Sequence, residues 1–295
     1  MKDIKELMPE ELEMISGGRG LNAEEASQYE INRRYEELRL RYRAKGRIEE
    51  WHRVEQIIHD AAAKWYQAIR NATEDHPTSM SEEVLSVQDD YLAERNREKG
   101  IVTLNDIPEI KDGLSIWQGD ITRLAVDAIV NAANSQMLGC FVPMHSCIDN
   151  CIHSFAGIQL RNECNEKMKV KRIQYGEDYE QPTAAPMLTE AYNLPAKKIV
   201  HVVGPIVSGR LTEDLENDLA DCYANTLDLC KDSGLRSVAF CCISTGVFHF
   251  PNRKAAQSAV KTVREWMKRY PDSMDRVIFN VFKDEDRRYY EQELC

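Results

Sequence analysis

Val126-Asp127-Ala128-Ile129-Val130-Asn131-Ala132-Ala133-Asn134 is a short apolar run that ends in two asparagines. Its residues 128–130 follow one another without polar alternation, as a strand does when both faces of its sheet are covered. Outward from it the pattern repeats. Runs at 114–117, 198–203, 237–243 and 276–282 also predict strands. Apolar spacing predicts helices near 212–232 and 254–269, and another beginning near Ile148. Strands alternating with helices require crossover connections, so the expected class is α/β with a central sheet covered on both faces.

The first hundred residues are different material. Residues 23–71 are rich in Glu, Arg, Ala, Leu and Tyr at helical spacing, and Gly46 is their only glycine. Two amphipathic helices hinged there are expected, with a third over 81–97. Glycine, proline and charge cluster at 99–112, so the chain divides into a small helical N-terminal region, 1–105, and a larger α/β domain, 106–295.

Of 295 residues, 43% are hydrophobic and 29% charged, which suffices for a packed core. The 38 basic and 49 acidic side chains leave a net charge of -11, which argues against a general grip on nucleic acid. No run of about 18 apolar residues is present to span a membrane. The N-terminus carries frequent charges and no apolar signal segment, so the expected location is the cytoplasm.

Ligands in α/β sheets bind beyond the carboxyl ends of the strands, where loops lead into helices. Three such loops collect small and polar residues: Gly119-Asp120-Ile121-Thr122, Asn131 to Asn134, and Ser244-Thr245-Gly246-Val247-Phe248. The second loop runs on into the cysteines. There are nine in the chain, none before Cys140, and without a secretory signal they are expected reduced. Cys140-x4-His145-x-Cys147 offers two thiolates and one imidazole from one short loop. That donor set suits a catalytic zinc, which keeps a fourth position open; the alternative is reduced core cysteines with an incidental histidine. A structural zinc would need a fourth ligand, for which Cys151 and His153 are nearest.

Together with Ile199-Val200-His201-Val202-Val203-Gly204-Pro205, these stretches resemble the macrodomain, the ADP-ribose-binding α/β module, over about three fifths of the chain. Each stretch alone is weak; four in order at macrodomain spacing are specific. The resemblance implies a three-layer α/β/α fold with a central mixed sheet. The loop 138–150 is similar to that of the zinc-dependent protein-ADP-ribose hydrolases associated with microbial sirtuins. One zinc on Cys140, His145 and Cys147 is then implied.

The resemblance also assigns roles. Asp120 would accept from the adenine amino group while Ile121 donates from its backbone, although Asp120 also suits a helix N-cap. Asn131 and Asn134 would face the ligand, with Asn134 orienting the distal ribose, unless either serves only to form the turn. Backbone N–H groups of Ser146, Cys147 and Ile148, and of Ser244 to Phe248, would hold the diphosphate at helix starts. Phe248 would cover the ribose or simply pack its loop. Asp149 would orient or deprotonate the attacking water, unless it serves only as a helix-start residue. Ala184 and His249 stand where the family commonly has glycine.

The function so implied is hydrolysis of ADP-ribose from mono-ADP-ribosylated protein. The resemblance adds a lipoyl-carrier protein as substrate and a sirtuin ADP-ribosyltransferase as partner. A non-catalytic ADP-ribose reader and an O-acetyl-ADP-ribose deacetylase are the alternatives. A reader has no evident need of a metal with an open position.

Overall fold

The computed structural model describes residues 82–141 and 145–294. The helices expected over 23–71 lie outside the described residues. One compact unit comprises Gln88–Cys140 and Cys147–Cys295.

In chain order the elements are α1 (Glu82–Lys99), β1 (Val102–Thr103), β2 (Leu114–Gln118), β3 (Leu124–Ala125), β4 (Ala128–Ala133), α2 (Ile148–Ala156), α3 (Ile158–Tyr175), β5 (Met187–Glu190), β6 (Lys198–Val203), α4 (Glu213–Asp232), β7 (Ser237–Phe240), α5 (Asn252–Arg269), β8 (Arg276–Val281) and α6 (Asp284–Leu294). Six strands form one sheet in the order β2-β8-β7-β4-β6-β5. All neighbours are parallel except β5, which runs antiparallel at the edge. The sheet is therefore mixed.

Successive side chains of a strand point to opposite faces. In β4, β6, β7 and β8 successive residues are buried nonetheless, so both faces are covered. The five strands predicted from apolar runs are all present. The run at 237–243 forms a strand only to Phe240; its last residues begin the loop that leads to Ser244. The edge strand β5 escaped prediction because it is four residues long with alternating burial.

Helix α4 shows how local sequence sets these elements. Thr212 caps it, its hydroxyl accepting the Leu215 N–H, and Glu213, Asp214 and Glu216 complement the positive helix end. Leu219, Cys222, Tyr223, Thr226, Leu227 and Cys230 form its buried stripe at helical spacing. Asp127, just before β4, accepts the backbone N–H groups of Arg236 and Ser237 at 2.9 Å each, which fixes β4 beside β7. The helix predicted to begin near Ile148 is two helices, broken at Gly157 with φ 101°. Helix α1 extends the expected 81–97 to Lys99. It docks through Asn96, which donates to the Asn193 carbonyl at 2.5 Å, and Gln88, which donates to Gln159 at 2.7 Å. No described helix is long and apolar enough to cross a membrane.

Candidate functional site

Because β2, β4, β6 and β7 run parallel, their carboxyl ends lie along one edge of the sheet. The loops that follow them carry Asp120, Asn134, Gly204 and Ser244. β4 lies between β6 and β7, so the loops bearing the last three leave adjacent strand ends.

Asp120 caps a short 3-10 turn, Ile121–Arg123, whose Ile121 side chain is anchored in the core. Its Oδ1 accepts the Thr122 N–H at 3.0 Å and the Thr122 hydroxyl at 2.6 Å. Its Oδ2 accepts Lys99 Nζ at 2.9 Å, from the end of α1. Burial alone would raise the Asp120 carboxyl, but these donors hold it below the ordinary value. Lys99 also lies over the Phe155 ring, 2.9 Å from its centroid, and burial lowers its ammonium. Lys99 at this position was invisible in the sequence, which gave no sign that the end of α1 reaches Asp120.

At the other end, Asn134 follows β4 and Asp149 occupies the first turn of α2. Asp149 Oδ1 accepts Asn131 Nδ2 at 2.7 Å, and Oδ2 lies 3.4 Å from Asn134 Nδ2. Asn134 also donates to the Gly139 carbonyl at 3.2 Å. Asp149 is 5% exposed, and burial pushes its carboxyl up to about 6 against the pull of Asn131 and Arg161. Asn131 is wholly buried, with its second N–H directed to His201 Nδ1 at 3.0 Å. The structure thus sets Asn131 beneath Asp149.

The donor atoms of Cys140, His145 and Cys147 lie within 4.8 Å of one another. Two sulfurs and an imidazole at such spacing match the donors zinc takes. Asn150 ties the loop ends: its side chain donates to the Cys140 carbonyl at 3.3 Å and its N–H to Cys147 Sγ at 3.4 Å. Cys147 thereby caps α2, with burial pushing its thiol up to about 12. His153 belongs to a separate buried group with Cys164 and His201, and Cys151 to neither group. Both ring nitrogens of His153 lack a hydrogen-bond partner among the described residues. A side chain at Gly139 would strike the His153 ring at 2.8 Å, which accounts for glycine there. None of the eight described cysteines is in a disulfide.

Ser244 to Phe248 form a tight turn ahead of α5. Ser244 has φ 63°, and Phe250 N–H donates to its carbonyl at 2.9 Å. Ser244 Oγ is buried without a partner among the described residues, and any side chain at Gly204 would run into it. Thr245 Oγ1 donates back to the Cys242 carbonyl at 2.9 Å. Phe248 is half-buried; Gly246 and Val247 are exposed. Ala184 and His249, the two departures from glycine, have φ 60° and 58°. Both adopt the left-handed backbone that glycine enters without a steric penalty.

An α/β sheet of this order carries these loops at its carboxyl edge, and comparison places it. Residues 130–259 match the family model described as Macro domain. A protein-ADP-ribose hydrolase of Treponema medium is 47% identical over 218 residues, 72% of this chain and 81% of that protein. One from Staphylococcus aureus is 44% identical over 215 residues, covering 72% and 78%. A crystal structure of the Trypanosoma brucei macrodomain in complex with ADP-ribose matches at TM-score 0.57 and 26% identity, over 78% of this chain and 95% of that one. The chain belongs to the macrodomain family. Within that family it is a hydrolase.

Proposed function

We propose that this chain releases ADP-ribose from mono-ADP-ribosylated protein. Water adds to the anomeric carbon of the distal ribose, the bond from that carbon to the protein side chain breaks, and the side chain leaves with a proton. The observation that carries this reading is the meeting of Cys140, His145 and Cys147 within 4.8 Å in the loop that leads to Asp149. The names of the relatives from Treponema medium and Staphylococcus aureus support it, as does the ADP-ribose held by the Trypanosoma brucei macrodomain.

One zinc ion fits the three donors. Bound there, it would supply Lewis acidity toward a ribose hydroxyl or the attacking water. The chain's own residues do the rest. Asp120 accepts from the adenine amino group and Ile121 donates from its backbone, which requires Lys99 to share or yield Oδ2. Backbone N–H groups of Ser146, Cys147 and Ile148, and of Ser244, Thr245, Gly246, Val247 and Phe248, hold the diphosphate at the starts of α2 and α5. Phe248 covers the distal ribose, and Asn134 orients it. Asp149 takes the proton of the attacking water. A lipoyl-carrier protein as substrate, a sirtuin as the enzyme that modifies it, and the cytoplasm as location belong to the same reading.

The test is incubation with mono-ADP-ribosylated protein, with and without a chelator, and measurement of free ADP-ribose. Release that stops on chelation and returns with zinc is the expected result, together with about one zinc per chain by elemental analysis. A protein that binds ADP-ribose tightly and releases none is a reader.

A further inference from the structure

Asn131, His201 and Thr189 are polar side chains in the interior of the sheet, exposed by 0%, 0% and 2%. They occupy three adjacent strands: Asn131 on β4 is the register partner of His201 on β6, and Thr189 lies on β5 beyond it. Polar groups there cost stability unless their hydrogen bonds are made. Their hydrogen bonds form one chain that ends at Asp149.

Asn131 Nδ2 has two protons. One goes to Asp149 Oδ1 at 2.7 Å and the other to His201 Nδ1 at 3.0 Å. Since Nδ1 accepts, the imidazole proton sits on Nε2, from which it is donated to Thr189 Oγ1 at 3.0 Å. A doubly protonated ring has no acceptor for Asn131, and burial, which lowers His201 to about 3, keeps the ring neutral. The amide of Asn131 has one orientation open to it. Turned over, it would set Oδ1 against both a carboxylate and an imidazole lone pair.

We infer that His201 is a positioning residue for the hydrolytic reaction: through the Asn131 amide it fixes Asp149 Oδ1, so that Oδ2 is the oxygen presented toward Asn134. Thr189 fixes the tautomer that makes this hold. The inference rests on the reading of Asp149 as the group that handles the attacking water. It explains why a histidine sits at a strand position where an apolar side chain would otherwise serve, and why Asn131 is buried beneath Asp149.

The experiment compares His201→Leu, His201→Asn and Asp149→Asn in the full chain, with kcat, KM, ADP-ribose affinity and melting temperature measured for each. In His201→Asn an amide oxygen falls close to the place of Nδ1, so the acceptor for Asn131 is kept. His201→Leu should lose about 10- to 100-fold in kcat, part of the 10²–10⁴ that positioned acid–base groups contribute. Its KM and ADP-ribose affinity should stay within about twofold, because nothing that binds the ligand has been touched. His201→Asn should recover most of kcat. If His201→Leu does not fold, Thr189→Val, which removes the nearer Nε2 acceptor and leaves only Cys164 Sγ at 3.8 Å, should show a smaller kcat loss at unchanged KM. Wild-type kcat in a folded His201→Leu, or in Thr189→Val where the leucine variant fails to fold, beside a slow Asp149→Asn overturns the inference alone. Wild-type kcat in Asp149→Asn overturns the reading of Asp149 and the inference with it. Equal losses in the Leu and Asn variants with a raised KM reduce His201 to a packing residue and overturn it too.

Discussion

Asp120 and Asp149 stand in the same local setting, each at the start of a helical turn beyond the carboxyl end of a parallel strand, and the fold drives their carboxyl groups in opposite directions. Asp120 is half-buried, yet Thr122 and Lys99 supply enough donors to outweigh burial and hold it below the usual carboxylate range. Asp149 has fewer donors and is almost wholly enclosed, and burial carries it up to about 6. Local sequence makes the two look alike as helix-start residues. What separates them is the number of hydrogen-bond donors the tertiary fold brings to each. One is charged at neutral pH and suited to holding a hydrogen-bond donor. The other stands near the boundary between its two protonation states and is suited to exchanging a proton.

The contrast breaks most visibly at Asp149. Asp149→Asn, which keeps size and hydrogen-bonding capacity, should lower turnover by about 10²–10⁴-fold while ADP-ribose affinity and zinc content hold. Single-turnover kinetics with an ADP-ribosylated substrate measures it, and a rate within about threefold of wild type would show that Asp149 does no proton work. The effect at Asp120 is smaller and of another kind. Asp120→Ala should weaken ADP-ribose binding by about 1–3 kcal/mol, the cost of leaving buried partners unpaired, with little change in kcat at saturation. Calorimetry showing wild-type affinity would remove Asp120 from the adenine subsite.

A third effect sharpens the comparison through stability. Burial lowers His153 to about 2 and His201 to about 3, so the unfolded chain binds protons the folded chain refuses once pH drops below the ordinary histidine value of 6.5. Their contribution is present above pH 6.5 and lost as pH falls, at up to about 1.4 kcal/mol per pH unit for each ring. Asp149 works the other way between about 6 and its ordinary 3.8, since its folded form prefers the proton. Two rings outweigh one carboxyl, so urea midpoints should fall between pH 7 and pH 4.5. A flat profile would mean that both rings reach solvent in the folded protein.

Most of the sheet was legible because a strand covered on both faces announces itself as an unbroken apolar run. β4, β6, β7 and β8 all have that character. β5, short and half-covered at the edge, has no such signature. The loops of the site were legible for a related reason: small and polar residues directly after an apolar run mark a strand end. Their supports were not. His201 meets Asn131 across 70 residues of sequence, and Lys99 meets Asp120 across 21, and no local period encodes either contact. The division of labour between Asp120 and Asp149 was hidden for the same cause, because it is set by distant donors and by enclosure.

The left-handed residues of the turn ahead of α5 carry a consequence for speed and affinity. Ser244 and His249 hold φ of 63° and 58°, which glycine would accept freely and a side chain accepts at a cost of about 1–2 kcal/mol. A glycine there would leave the turn many alternatives in solution. Serine and histidine have few, and with Phe250 N–H held by the Ser244 carbonyl and Val207 N–H by that of Phe248 the turn is already committed to one shape. Ordering that a ligand would otherwise impose on arrival has been done during folding. On the proposed reading, the donors of the turn are set before the diphosphate arrives, and the entropy of binding would be correspondingly less unfavourable.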